Sequence, residues 1–265
     1  MSSTILSQPA GTGQRWRRPG VMVLTLIAGL AAFTWPLFVA PAEGMDRTTQ
    51  GPLLFGIMLP LVLAITVAEL SADGISPRAL AMLGVLSALG TLARPLGAGT
   101  AGLELVFVLI ILGGRVFGPV FGFLLGNTTM LASALVVGGV GPWLPHQMLG
   151  AGFVGVGAAL IARQLRGCAE IVLLCGYGLV VAFAYGWLLD LAFWPFTLGA
   201  GTEASYLPGA PLTENLHRFV IYNLATSMGW NLGRAITNVV VLALLGPPLL
   251  RVLRRTTRVP TFQDA

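Results

Sequence analysis

Long apolar segments, separated by short polar stretches that carry arginine, constrain what this chain can fold into. They cover residues 21–40, 53–70, 79–96, 103–117, 120–140, 147–161, 171–196 and 219–245. At 1.5 Å per helical residue, each segment is long enough, or nearly so, to cross a hydrocarbon layer about 30 Å thick. Because backbone amides in lipid must be bonded internally, and no segment alternates like a barrel strand, we expect helices. The sequence therefore predicts an all-α integral membrane protein with about eight transmembrane helices.

Composition supports the same class of protein. Of the 265 residues, 55% are hydrophobic and only 9% are charged, and the mean hydropathy is +0.84. An ordinary soluble domain carries about 25% charged residues. This balance excludes a soluble globular enzyme, a disordered chain and a nucleic-acid-binding domain. It indicates that membrane lipid, and not nucleic acid, surrounds the protein.

The positions of the arginines predict the orientation of the chain in the membrane. All fifteen basic residues are arginine, and most of them flank the apolar segments. With both termini in the cytoplasm, eleven lie on the inner side and three on the outer side, which follows the positive-inside rule. The inner set is Arg15, Arg17, Arg18, Arg78, Arg115, Arg163, Arg166, Arg251, Arg254, Arg255 and Arg258, and the outer set is Arg47, Arg94 and Arg218.

The first apolar segment has a second interpretation. A basic stretch, an apolar run and Val-Ala-Pro-Ala at 39–42 resemble a cleavable signal peptide. The run is about 20 residues long, which exceeds the usual signal core. Cleavage would leave seven spans with the same orientation.

Motifs for catalysis and for metal binding are missing from the sequence. Without lysine there is no P-loop, and neither His-Glu-x-x-His nor Gly-x-Ser-x-Gly occurs. The two cysteines, Cys168 and Cys175, have no metal-binding spacing. We therefore predict that the protein is not an enzyme, with no catalytic residue and no metal ligand.

Polar side chains form a stripe along the last segment. Asn223, Ser227, Asn231, Arg234 and Asn238 follow the spacing of one helix face. Polar groups inside a membrane are costly and are commonly functional. We interpret the stripe as a ligand or coupling surface, with interhelical amide bonds as the alternative. Arg234 lies deeper than Asn223, Ser227 and Asn231, so we assign it to structure or conformational change and not to ligand contact.

A second polar group lies at the outer ends of four segments. It consists of Arg94, Glu104, Asp190 and Arg218. These residues either pair with one another at the membrane interface or form the mouth of a pocket that selects a polar solute.

Aromatic side chains cluster on the same outer side. Trp143 and His146 lie in a Gly/Pro-rich loop at 138–147, and Trp187 lies on the seventh segment with Tyr185 and Trp194 nearby. They are either interface anchors or flat surfaces that bind a ligand. The resulting candidate substrate-binding residues are Arg94, Glu104, Trp143, His146, Trp187, Asp190, Asn223, Ser227 and Asn231.

Two stretches carry a family resemblance. Residues 104–126 read ELVFVLIILGGRVFGPVFGFLLG, and residues 138–155 read GGVGPWLPHQMLGAGFVG. These stretches resemble the substrate-binding S components of energy-coupling factor (ECF) transporters. The shared features are an arginine that closes one helix, a Gly-x-Val-Phe-Gly-Pro junction, and a Gly-Pro-Trp outer loop before a Gly-rich helix. The resemblance covers about residues 78–255.

The resemblance implies an organisation and a function. A six-helix substrate-binding core would span residues 78–250, preceded by a disordered basic cytoplasmic N-terminus at 1–20 and two additional transmembrane helices at 21–77. A basic cytoplasmic tail would follow at 251–265. Family members capture a vitamin or related small metabolite at the outer half of the core, in the bacterial cell membrane.

The resemblance also implies partners. A membrane T component and two cytoplasmic ABC-type ATPases on other chains would use the ATP, so we expect no cofactor in this chain. Gly84 and Ala88, a small-xxx-small pair, would meet the T component. Two alternatives from other classes are an intramembrane enzyme that acts on a lipid or prenyl substrate and a stand-alone secondary transporter. The first would need an acid or histidine cluster, and the second an inverted repeat.

Overall fold

A computed structural model describes residues 12–38, 47–71, 76–97, 102–162, 164–196 and 201–258. All regular structure in these ranges is helical. The described residues form nine α-helices: α1 (Thr12–Thr34), α2 (Arg47–Ser71), α3 (Pro77–Leu96), α4 (Val106–Phe117), α5 (Pro119–Val137), α6 (Leu144–Leu160), α7 (Cys168–Phe193), α8 (Leu212–Thr226) and α9 (Met228–Arg258). Short 3-10 turns, Trp35–Leu37 and Trp194–Phe196, extend α1 and α7.

The helices are those of a multi-pass membrane protein, as the sequence predicted. In the described ranges, Pro77–Leu96, Pro119–Val137, Cys168–Phe196 and Met228–Thr257 are long and apolar enough to cross a membrane, and shorter apolar helices accompany them. Large apolar side chains are exposed around the perimeter, among them Leu92, Val172 and Leu244. A soluble monomer would not expose apolar surface on so many of its helices.

Local sequence signals set the ends of the core helices. Ser76 caps α3, where its hydroxyl accepts a hydrogen bond from the Ala79 amide at 3.2 Å, and Pro77 occupies the first turn. Gly118 separates α4 from α5 with a φ of 101°, a conformation that favours glycine, and Pro119 then starts α5. This junction separates the two apolar segments that the sequence predicts at 103–117 and 120–140.

Close helix packing at the centre of the core depends on glycine. Helices α4, α5 and α6 pack together, and Gly114, Gly122 and Gly155 meet at their crossing. A side chain on any of these three glycines would overlap the backbone of a neighbouring helix. The small residues of the fifth and sixth segments therefore serve internal packing.

The two N-terminal helices dock on the core. Phe33 of α1 is fully buried and makes edge contacts with His146 and Phe153 of α6. Trp35 stacks on Phe196, with 5.6 Å between ring centroids, and its indole N–H donates to the Ala192 carbonyl at 3.2 Å. In the outer loop after α7, the Tyr206 hydroxyl donates to the Pro36 carbonyl at 3.2 Å. These contacts tie α1 to the outer side of the core.

The observed helix boundaries differ from the sequence prediction at three places. Helix α1 begins at Thr12, inside the stretch 1–20 that we expected to be disordered, and α9 continues to Arg258 within the predicted tail. The predicted single helix over 219–245 is divided into α8 and α9 at Ser227. Thr226 next to the break donates to the Tyr222 carbonyl at 2.8 Å, a back-bond that bends helices. The cleavage motif at 39–42 lies outside the described residues.

Candidate functional site

The polar stripe is buried despite the break between α8 and α9. Asn223, Asn231, Arg234 and Asn238 are buried, and Ser227 is half-buried. Hydrogen bonds from the Ser227 amide to the Asn223 carbonyl and from the Asn231 amide to the Ser227 carbonyl carry the helical register across the break. The stripe therefore faces the other core helices and not lipid.

Arg234 lies at the centre of a network of polar contacts that joins three core helices. Its guanidinium donates two hydrogen bonds to Glu104, at 3.1 and 2.9 Å. It also donates to the Ala182 carbonyl at 3.0 Å and to Asn231 Oδ1 at 3.1 Å. The rings of Phe107 and Tyr185 lie 5.5 and 5.1 Å from its central carbon, a cation–π arrangement. Arg234 thereby joins α4, α7 and α9 and orients two of the candidate residues, Glu104 and Asn231.

A cavity of about 280 Å³ opens beside this network. Three candidate residues, Arg94, Glu104 and Trp143, line it together with Trp230. The side chain of Glu104 is 28% exposed, so one carboxylate edge remains accessible beside the ion pair with Arg234. The cavity thus offers one cation, one anion and two indole rings.

Neighbouring helices hold the guanidinium of Arg94 in place. It donates to Ser133 Oγ at 2.6 Å and to Gln147 Oε1 at 2.8 Å. Trp143 is about half exposed, and its indole N–H donates to the Gly139 carbonyl at 3.1 Å. The cavity walls are therefore positioned by α5, α6 and the loop between them.

A second polar group lies between α7 and α8. Asn223 Nδ2 donates to Asp190 Oδ2 at 2.6 Å, and Ser227 lies within hydrogen-bonding reach of the same carboxylate. Trp187, one turn before Asp190, makes an edge contact with Phe219. The structure therefore brings Trp187, Asp190, Asn223 and Ser227 together, apart from the cavity that Arg94, Glu104 and Trp143 line.

Several buried polar atoms of the two groups have no hydrogen-bond partner within the described ranges. They are the indole nitrogen of Trp187, Oδ1 of Asn223 and Nδ2 of Asn231. Buried polar atoms are normally bonded, so these atoms are available to an ordered water or to a ligand. The amide of Asn231 connects the two groups, because its oxygen accepts from Arg234 while its nitrogen stays unsatisfied.

The four charged residues of the outer group do not pair with one another. Glu104 pairs with Arg234, Asp190 with Asn223, and Arg218 with Glu214 one turn away at 2.9 Å. Arg94 bonds to neutral side chains. The alternative of mutual pairing at the interface is therefore wrong.

The structure separates His146 from the other candidates. It is buried between Phe33 of α1 and Phe193 of α7, with ring centroids 5.3 and 4.9 Å away. The sequence pattern did not indicate that α1 covers this face of α6. Conversely, Trp230 and Gln147 were not among the candidates. Trp230 is adjacent to the polar stripe, and Gln147 is the last residue of the loop at 138–147.

Gly84 and Ala88 lie on an exposed face of α3. A Cβ added at Gly84 would have no atom within 4 Å. Leu80, Val85 and Leu92 are exposed on the same helix. This small-residue face is therefore open to lipid or to a partner helix.

These features define a helical membrane protein with a cavity near one end that is lined by charged and aromatic side chains. Residues 78–246 match the family described as ECF transporter, substrate-specific component. This match covers more than half of the chain, so the protein belongs to that family, whose members are transporter subunits. No curated protein and no solved structure matches the chain significantly.

Proposed function

We propose that the chain is the substrate-capture subunit of an ATP-driven ECF importer for a vitamin-like small metabolite. The observation that carries the proposal is the outer cavity, in which Arg94, Glu104, Trp143 and Trp230 surround about 280 Å³. This volume lies near the low end of the range for small-molecule pockets, about 300–1,000 Å³. It favours a compound with one or two rings over a bulky corrinoid.

The lining suggests how the ligand is held. The two indoles provide flat apolar surfaces, and Arg94 and Glu104 provide opposite charges a short distance apart. Asn231, whose amide nitrogen is unsatisfied, is joined to the Glu104 wall of the cavity through Arg234. A flat ring system that carries both a donor and an acceptor matches this set.

Orientation places the cavity where a substrate arrives. The arginine distribution favours an orientation with both termini and the ends of α4 and α9 in the cytoplasm, and the cavity at the opposite side. Import then requires partners that supply energy, because this chain has no P-loop lysine. A T component and two ABC-type ATPases of the bacterial cell membrane are the partners that the family implies, and Gly84 and Ala88 are the contact that we assign to the T component.

Ligand titration of variants tests the site. The full chain is purified in detergent, the compound that co-purifies is identified by mass spectrometry, and its affinity is measured by calorimetry. A single hydrogen bond in a partly wet pocket is worth about 0.5–1.5 kcal/mol, so Asn231→Ala should weaken binding about three- to tenfold. Trp143→Ala should reduce the binding free energy by about 2 kcal/mol if the indole covers the ligand.

Asn238→Ala is the matched control. Asn238 is a buried asparagine of the same stripe, two turns deeper. Its Nδ2 donates to the Gly178 carbonyl at 2.9 Å, and its Oδ1, like Nδ2 of Asn231, has no partner within the described residues. Its loss should lower stability and leave ligand affinity unchanged. Wild-type affinity in folded Asn231→Ala and Trp143→Ala would remove this cavity as the binding site.

A further inference from the structure

A buried ion cluster joins the inner ends of four core helices. Arg115 at the end of α4 donates to Glu170 Oε1 at 2.7 Å, and Arg254 of α9 pairs with the same oxygen. Arg115 also donates to the carbonyls of Ile161, Ala162 and Leu165, at 2.7, 3.1 and 3.2 Å. Arg115 and Glu170 are 1% exposed at the side chain, so this part of the cluster is structural.

Three more arginines surround the cluster at the surface. Arg166 precedes α7, and Arg251 and Arg255 lie on α9 on either side of Arg254. All three are exposed. The region around the inner ends of α7 and α9 therefore carries five positive charges, from Arg115, Arg166, Arg251, Arg254 and Arg255, and one negative charge, from Glu170. Its net charge is +4.

Cavities of two kinds meet at Arg254. One, of about 290 Å³, is polar and is lined by Arg115, Arg166 and Arg254. The other is a groove of about 560 Å³ between α7 and α9, with Arg251 and Arg254 at one end. The groove continues along apolar side chains, which are Ile171, Val172, Ala243, Pro247 and Leu250.

The depth of this region matches the membrane surface. Helix α9 has 31 residues and is therefore about 46 Å long, which exceeds the hydrocarbon thickness of about 30 Å. Its apolar stretch ends at Leu250, and Arg251 is the first of its exposed cations. The arginines thus lie at the level of lipid headgroups, and the groove lies in the acyl region next to them.

We propose that this surface is a binding site for an anionic glycerophospholipid of the inner leaflet. Its phosphate contacts Arg166, Arg251 and Arg255, and an acyl chain occupies the groove between α7 and α9. The positive-inside rule accounts for arginines on this side, but it does not call for an apolar groove that ends at them. A free phosphate would use the arginines and leave the groove unused, and a zwitterionic lipid would gain little from a net charge of +4.

Native mass spectrometry of the full chain in detergent tests the proposal. The protein is titrated with phosphatidylglycerol and with phosphatidylcholine of identical acyl chains, and inorganic phosphate is added as a competitor. We expect tighter binding of phosphatidylglycerol and no competition by millimolar phosphate. Each surface arginine contributes about 1 kcal/mol to anionic lipid binding, so the double variant Arg251→Gln/Arg255→Gln should bind phosphatidylglycerol about 25-fold more weakly.

Two further variants make the result specific. Arg218→Gln removes an arginine at the outer end of the protein and should leave the affinity for phosphatidylglycerol unchanged. Ala243→Phe narrows the groove without altering charge and should weaken lipid binding. Arg254 is left intact, because it pairs with the buried Glu170.

Three results would overturn the proposal. Equal affinity for the two lipids, or a double variant that behaves like Arg218→Gln, would show that the arginines serve orientation alone. Full competition by inorganic phosphate with no effect of Ala243→Phe would assign the site to a soluble anion. Melting temperatures of all variants establish that they are folded.

Discussion

Replacing Gly84 with leucine separates partner coupling from folding. Gly84 lies on the exposed face of α3, and an added Cβ meets no atom within 4 Å. Glycine inside a helix is about 0.5–1 kcal/mol less favourable than alanine, and leucine is close to alanine. The free energy of unfolding of the isolated chain should therefore stay the same or rise by up to about 1 kcal/mol.

The same side chain should disrupt a close helix contact with the T component. Overpacking of a tight interface costs about 1–3 kcal/mol, which corresponds to about 5- to 150-fold weaker association. The assay is co-elution of the chain with co-expressed T component and ATPases, together with uptake of the identified substrate into cells. We expect loss of both, and wild-type ligand affinity in the isolated chain.

Two other glycines are matched controls. Gly176 is exposed on α7, also with no atom within 4 Å of an added Cβ, and Gly176→Leu should assemble normally. Gly155→Leu should fail to fold, because its side chain would overlap the backbone at Gly122. If Gly84→Leu assembles as well as Gly176→Leu, or unfolds like Gly155→Leu, the assignment of α3 to the partner contact is wrong.

Two further variants test the stability of the fold. Glu170→Gln leaves the buried Arg115 without its counter-ion and should lower the free energy of unfolding by about 3–5 kcal/mol in denaturant titrations in detergent; a loss below about 1 kcal/mol would mean that the carbonyl partners suffice. Phe33→Ala removes a fully buried ring between α1 and α6 and should lower the free energy of unfolding by about 3 kcal/mol. An unchanged melting temperature would show that α1 does not stabilise the core.

Features that depend on residues close together in the sequence could be predicted from the sequence alone. The apolar segments follow from the need to satisfy every backbone amide within lipid. The junction at Gly118 and Pro119 follows from backbone conformations that few other residues accept. The burial of Asn223, Asn231 and Asn238 follows from their helical spacing, since a polar face must avoid lipid.

Contacts between distant segments required the tertiary structure. Glu104 and Arg234 are 130 residues apart, and nothing in either segment marks them as partners. His146 belongs to the same loop and helix start as Trp143, yet α1 covers His146 while Trp143 lines the cavity. Periodicity shows which residues share a helix face, but it does not show which neighbour that face meets.

Gly84 and Gly155 illustrate why the sequence does not determine which way a helix face points. Gly84 and Gly155 both occur in apolar helices next to other small residues, yet one faces outward and the other lies against the backbone of α5. In a soluble protein, hydrophobicity would separate an exposed position from a buried one. In a membrane protein, lipid chains and the protein interior are equally apolar, so the hydrophobic pattern identifies the helix and only packing decides the direction of each face.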